Sequence, residues 1–119
     1  MGAPVVHFEI QAKDASAMQA FYGDLFDWNI DANNPMNYGV VDTGVEGGIG
    51  GGITQSMEGM PPATVFYIEV ADPQAKLDEI AARGGTVIVP VTEIPQMVTF
   101  AIFTDPEGNT VGLVKAEEG

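Results

Sequence analysis

The sequence has no cysteine among its 119 residues. That excludes disulfides within the chain, thiolate metal sites and a thiol nucleophile. Basic residues are scarce: four Lys and Arg stand against 17 Asp and Glu, a formal net charge of −13. Such a field repels phosphate backbones and anionic lipid surfaces, so nucleic acid and membrane are not expected partners. The acidic residues are scattered, with no block of like charge, which reads as a solvated surface. No apolar run approaches the roughly 18 residues of a membrane span. The N-terminus does not join a basic stretch to an apolar one, as a secretory signal does, so a cytoplasmic location is expected. What remains is a folded composition: 45% hydrophobic residues, with fifteen Gly and eight Pro. That is too apolar for charge-driven disorder, and the length suits one domain.

The pattern along the chain occurs twice. In Val5-Val6-His7-Phe8-Glu9-Ile10, apolar Val6, Phe8 and Ile10 alternate with Val5, His7 and Glu9, the period of a strand with one face in a core. Asp14 then caps a helix whose Met18, Phe21, Tyr22, Leu25 and Phe26 form one apolar stripe. Trp28 to Ile30 reads as a second strand, Asn33-Asn34-Pro35 as a turn and Met36 to Thr43 as a third strand. Gly47 to Ile53 reads as a fourth, weakened by its glycines. After Pro61-Pro62 the order returns. Val65 to Val70 alternates like the first strand. Asp72-Pro73 is an N-cap followed by proline at the first helical position. Leu77, Ile80 and Ala81 form the stripe, and Gly84-Gly85 stops the helix. Strands follow at Thr86 to Val89, Met97 to Phe103 and Asn109 to Lys115. Aligning Glu9 with Glu69 superposes His7 on Tyr67, and the internal repeat organises the whole chain.

Three stretches carry a family resemblance: His7-Phe8-Glu9-Ile10, the helix exit Phe21-Tyr22-Gly23-Asp24-Leu25-Phe26-Asp27-Trp28, and the turn Asp105-Pro106-Glu107-Gly108-Asn109. With these, in order and at the right separations, the chain resembles the vicinal-oxygen-chelate superfamily over nearly its whole length. That superfamily includes glyoxalase I, extradiol dioxygenases and bleomycin-resistance proteins. Asp27 stands where relatives usually carry glycine, and aspartate tolerates a left-handed backbone better than most residues. The resemblance implies an α+β fold of two βαβββ modules, sheets curled around a cleft and helices outside. It further implies a single domain over 1–119, with module one at 4–53, a linker at 54–62 and module two at 63–116, and pairing as a homodimer. Strand parity then puts Val5, His7, Glu9 and Gln11 on the cleft face of module one, and Tyr67 and Glu69 on that of module two.

Metal-dependent members of the family place four ligands in the cleft, one from the first and one from the last strand of each module. Histidine, glutamate or glutamine supplies each. Here His7 fits the first position. The second falls within Gly50 to Gly52, the third is Tyr67 and the fourth is Gly112. One donor of four is present, and a metal needs three or four held together, so no metal and no cofactor is expected. Glu9 and Glu69 lie two residues past the family positions, and an unfamiliar site with His7 is the remaining route to a metal.

Three functional readings follow, the third being a metal-dependent lactoylglutathione lyase or dioxygenase, which needs ligands that these residues do not supply. In the first, the cleft binds a small aromatic or cationic molecule, with Trp28, Met36, Tyr38, Met97, Phe100 and Phe103 as candidate walls. In the second, Glu9, Glu69, His7 and Tyr67 move a proton next to a carbonyl, making a metal-independent isomerase, epimerase or lyase. For Glu9 and Glu69 the structural role, hydrogen-bonded to backbone or water at the seam of the modules, is favoured over the catalytic one. The glycine run Gly47-Gly48-Ile49-Gly50-Gly51-Gly52 lacks the Lys-Ser/Thr of a phosphate loop. The turn at Asp105 has too few acids for a calcium loop.

Overall fold

The computed structural model describes residues 2–116, so the outermost ends of the expected domain lie outside the described residues. The element order is β1 (Val5–Ala12), α1 (Ala15–Phe26), β2 (Asn29–Asp31), β3 (Gly39–Asp42), β4 (Gly50–Gln55), β5 (Ala63–Val70), α2 (Pro73–Ala82), β6 (Thr86–Ile94), β7 (Val98–Thr104) and β8 (Thr110–Lys115). This is β-α-β-β-β twice, the α+β architecture that the alternation predicts. The chain divides into two compact units, His7–Val65 and Phe66–Gly119, the latter joined by Met1–Val6.

In the first unit the strand order is β2-β3-β4-β1. β1 runs parallel to β4, while β2 with β3 and β3 with β4 are antiparallel. Helix α1 starts where Asp14 caps it, the carboxylate accepting from Ala17 N at 3.1 Å. It ends at Asp27, in the left-handed conformation with φ 58°, as expected of the residue standing in place of glycine. Phe8 on the helix face of β1 packs against Trp28, with ring centroids 5.5 Å apart. Trp28 in turn stacks on Tyr22 at 5.7 Å and meets Phe26 at the same distance.

Several strand boundaries differ from the sequence pattern. The third strand begins at Gly39 instead of Met36, because Asn34 holds the preceding loop. Its Oδ1 accepts from Met36 N and Tyr38 N, and its Nδ2 donates to Tyr38 O. β4 begins at Gly50 instead of Gly47, after a turn in which Gly48 N donates to Val45 O. It also continues through Thr54 and Gln55, two residues expected in the linker, because they pair with Gln11 and Ala12 of β1. The Gln55 side chain locks that end, accepting from Ala15 N at 3.1 Å and donating to Lys13 O.

In the second unit the order is β5-β8-β7-β6, with β5 parallel to β8 and the other pairs antiparallel. Asp72 caps α2 by accepting from Ala75 N at 3.1 Å, and Pro73 opens the helix. Val70, Leu77, Ala101, Phe103, Val111 and Leu113 form its core, with Ile68, Ile80 and Val91 packed against them. β6 runs on to Ile94, well past Val89. It carries Pro90 in its interior, which an outermost strand tolerates, and register shifts flank that proline.

Candidate functional site

The alternation along β1 puts His7, Glu9 and Gln11 on the face of the module-one sheet opposite Phe8 and Trp28. Glu9 is the buried acid of that face, 8% exposed. Its two carboxylate oxygens are both engaged: Tyr38 Oη donates to Oε1 at 3.0 Å, and Gln11 Nε2 donates to Oε2 at 2.8 Å. His7 Nε2 lies 2.9 Å from the same Tyr38 oxygen. A phenol has one proton to give. With that proton directed to Glu9, the Tyr38 oxygen accepts, so the geometry assigns His7 the tautomer with hydrogen on Nε2. The result is a relay from imidazole to phenol to carboxylate. Burial lowers the His7 pKa from its ordinary 6.5, and the Glu9 charge opposes this more weakly, so the neutral imidazole that the relay needs is also the favoured one.

Tyr38 reaches Glu9 because β4 offers glycine beneath it. Glu9 pairs with Gly52 across β1 and β4. A Cβ placed on Gly52 would fall inside the Tyr38 ring. Tyr38 was expected as an apolar wall; the structure makes it the hydrogen-bonding centre of this face. Gln11, legible as inward by parity alone, is the second holder of Glu9.

The corresponding face of module two is built from two cross-strand rows. Tyr67 pairs with Gly112, which pairs with Ile102; Glu69 pairs with Val114, which pairs with Phe100. Residues paired across strands point to the same side, so Tyr67, Glu69 and Phe100 share this face. Tyr67 is 4% exposed, and its ring covers Gly112 so closely that a Cβ there would overlap it. Glu69 is only half-buried.

The other candidate walls are placed differently. Phe103 has the opposite parity to Phe100 and belongs to the core beneath α2. Trp28 lies in the helix-side aromatic cluster with Phe8, Tyr22 and Phe26. Phe103 is therefore a core residue, while Trp28 is half-buried in a cluster whose Phe26 is itself exposed, on the side of the sheet away from His7 and Glu9. Met36 and Met97 are exposed, Met36 in the loop held by Asn34 and Met97 in a turn where its N–H donates to Ile94 O. A concavity of about 530 Å³ lies beside the linker, lined by Lys13, Gln55, Met57 and Met60 among others. None of the ten candidate residues borders it.

The four metal positions implied by the resemblance are now fixed by register. His7 pairs with Gly50, and Tyr67 with Gly112. The donor set is one imidazole, one phenol and two glycines, and no group of three or more His, Asp or Glu side chains comes together among the described residues. These residues do not fit a divalent metal centre.

No helix among the described residues is long and apolar enough to cross a membrane. Comparison with known proteins bears on the fold and the family. Among solved structures, a hypothetical protein from Bacillus halodurans C-125 matches with a TM-score of 0.71 at 12% identity, covering 100% of this chain and 98% of that one. The Streptomyces coelicolor methylmalonyl-CoA epimerase in complex with 2-nitronate-propionyl-CoA matches with a TM-score of 0.62 at 15% identity, covering 98% and 99%. At such identities these likenesses bear on fold alone. The protein named "Putative glyoxylase CFP32" in Mycobacterium tuberculosis and Mycobacterium bovis is 35% identical over 114 residues, 91% of this chain. The chain spans only 44% of the length of those relatives. The family model described as Glyoxalase/Bleomycin resistance protein/Dioxygenase superfamily matches residues 5–113. The chain belongs to that superfamily.

Proposed function

We propose that the protein is a small-molecule binding module that takes a cationic, aromatic ligand against the His7–Tyr38–Glu9 face, without a metal. One observation carries this reading: Glu9 is a buried carboxylate whose two oxygens are already held by Tyr38 and Gln11. A carboxylate held this way is a fixed negative charge beside a phenol ring. That combination attracts a cation through charge and through the ring face. A base that abstracts a proton must instead turn an oxygen lone pair to its substrate. Each held oxygen keeps a second lone pair that could serve, so the isomerase, epimerase or lyase reading stands second and is not excluded.

The epimerase that shares this fold holds a propionyl-CoA derivative. Coenzyme A esters carry several phosphate charges, and a chain with four basic residues and net charge −13 is poorly matched to them. We place the protein in solution as a homodimer, which light scattering after gel filtration tests directly.

Calorimetric titration with tryptamine and with indole-3-acetate tests the ligand class, because the two share a ring and differ in charge. Tryptamine is expected to bind and indole-3-acetate to fail. Glu9→Gln is expected to weaken tryptamine at least tenfold, the loss of about 1.4 kcal/mol of charge interaction. Preference for indole-3-acetate or for acetyl-CoA would overturn the reading. If a substrate is found, Glu9→Gln combined with Glu69→Gln separates the two functions: only an enzyme loses turnover while keeping affinity.

A further inference from the structure

The family expectation of a divalent metal and the residues of this chain disagree, and the disagreement has a definite structural form in module two. We infer that Tyr67 and Gly112 are a matched pair that excludes a metal ion: the phenol ring occupies the side-chain space of the last strand, so no donor can stand at position 112 while Tyr67 is present. This inference does not depend on the charge of the organic ligand.

Three observations carry it. First, Tyr67 and Gly112 are direct partners in the parallel β5–β8 ladder, so side chains at both positions would rise from the same patch of sheet. Second, the Tyr67 ring lies flat over that patch, its Cγ 2.8 Å from where a Cβ on Gly112 would stand and its Cδ2 and Cε2 nearer still. Real Cβ atoms do not approach other atoms so closely, so any side chain at 112 forces the ring out. Third, Tyr67 is 4% exposed, and a ring packed on all sides has no vacant rotamer to move into. A glutamate at 112 and a tyrosine at 67 are therefore mutually exclusive. Loss of the last-strand donor and gain of the phenol read as a single exchange.

Module one is built differently at the equivalent pair. His7 faces Gly50, and a Cβ on Gly50 meets nothing nearer than Val41 O at 3.4 Å, an ordinary contact. A donor at position 50 is sterically permitted. Exclusion therefore resides in module two, with Tyr67 as the residue that imposes it. A neutral phenol also contributes little to holding Zn²⁺, Ni²⁺ or Mn²⁺, for which imidazole and carboxylate are the effective ligands.

The experiment is metal content by elemental analysis, after dialysis of the tag-free protein against trace Zn²⁺, Ni²⁺ and Mn²⁺. Four proteins are compared: wild type, His7→Ala, Gly50→Glu/Gly112→Glu, and Gly50→Glu/Gly112→Glu/Tyr67→His. Near-ultraviolet circular dichroism reports whether each is folded. Wild type is expected to retain less than about a tenth of an equivalent, and the triple variant about one equivalent, as a completed donor set would bind. The double variant, with Tyr67 in place, is expected to stay metal-free and to be less stable than wild type. About one equivalent in wild type, lost in His7→Ala, overturns the inference. So does metal retained by a folded double variant, or a folded triple variant that holds none. If the triple variant does not fold, the double variant decides: metal retained by it while folded overturns the inference, and a metal-free, destabilised double variant supports it.

Discussion

Alanine at Gly112 should destabilise the protein, whereas alanine at Gly50 should stabilise it, although both replace glycine at the equivalent position of a last strand. At Gly112 the added methyl would overlap the Tyr67 ring, and that ring is buried in a close-packed layer. Inserting a methyl into such a place costs about 1–3 kcal/mol. Replacing glycine also narrows the unfolded ensemble, which returns about 0.4–1 kcal/mol. The net expectation at Gly112 is a loss of up to about 2.6 kcal/mol, centred on about 1.3 kcal/mol. At Gly50 only the unfolded-state term operates, because the nearest atom to the new Cβ is Val41 O at 3.4 Å. A gain of about 0.4–1 kcal/mol is expected there.

Urea unfolding is the assay, followed by far-ultraviolet circular dichroism and by Trp28 emission, since Trp28 is the single tryptophan. The midpoint should fall in Gly112→Ala and rise in Gly50→Ala, with slopes unchanged. Repeating Gly112→Ala in a Tyr67→Leu background closes a double-mutant cycle. The two substitutions should couple by about 0.5–3 kcal/mol, because a flexible leucine yields space that a ring cannot. Equal or greater stability of Gly112→Ala relative to Gly50→Ala would refute the claim that Tyr67 owns the space over Gly112. Absence of coupling would refute it as well.

Three further outcomes are expected. The His7 imidazole is held below its ordinary 6.5 by burial, so the unfolded chain takes up that proton first as pH falls. Stability should decline from pH 6.5 downward until pH passes the folded value, and show no His7 contribution above 6.5; urea midpoints at pH 7.5 and 5.5 should differ less in His7→Gln than in wild type, and equal differences would count against the relay. Glu9→Gln puts an amide where Gln11 and Tyr38 both donate, so one of its ends faces a donor with a donor. A loss of about 1–3 kcal/mol is expected, against less than about 0.5 kcal/mol for half-buried Glu69→Gln; thermal melts of the two variants make the comparison. Leu77→Ala, at a side chain 2% exposed in the core beneath α2, should cost about 2–5 kcal/mol by chemical denaturation, and a smaller loss would mean that α2 relaxes onto its sheet.

What was legible in the sequence follows from how local each determinant is. Asp14 and Asp72 announce helix starts because a cap needs only its own side chain and the amide three residues on. The β1 and β5 faces were legible because alternation is a property of one strand. It placed His7, Glu9, Gln11, Tyr67 and Glu69 without knowledge of any neighbour. Tyr38 was legible only as an aromatic residue, since its role depends on the Asn34 loop bringing it over Gly52 from another strand. Phe103 and Phe100 show the same limit. Alternation puts them on opposite faces, but both faces of β7 are apolar, so which of the two joins the core is known only once the neighbours of β7 are. The extension of β4 through Gln55 was hidden because a polar Thr-Gln pair looks like linker until its ladder partners are known.

The two modules repeat one ladder, yet the repeat is broken at the positions that bear the chemistry. His7 and Tyr67 occupy equivalent sites, each opposite a glycine. In module one the ring over glycine sits one pair further along, where Tyr38 covers Gly52 and reaches Glu9. In module two it sits at the pair itself, where Tyr67 covers Gly112. A shift of two residues along a strand keeps a side chain on the same face and changes only its row. The fold therefore tolerates either placement, while the chemistry does not. Module one keeps an imidazole and a buried carboxylate linked through a phenol; module two spends its phenol filling the sheet. Removing the ring of module one, by Tyr38→Ser with Gly52→Thr to fill the space it leaves, should release Glu9 from Oη and leave the sheet intact. If ligand affinity survived that change, the charge of Glu9 alone would suffice for recognition; if it vanished, the phenol is what aims the carboxylate.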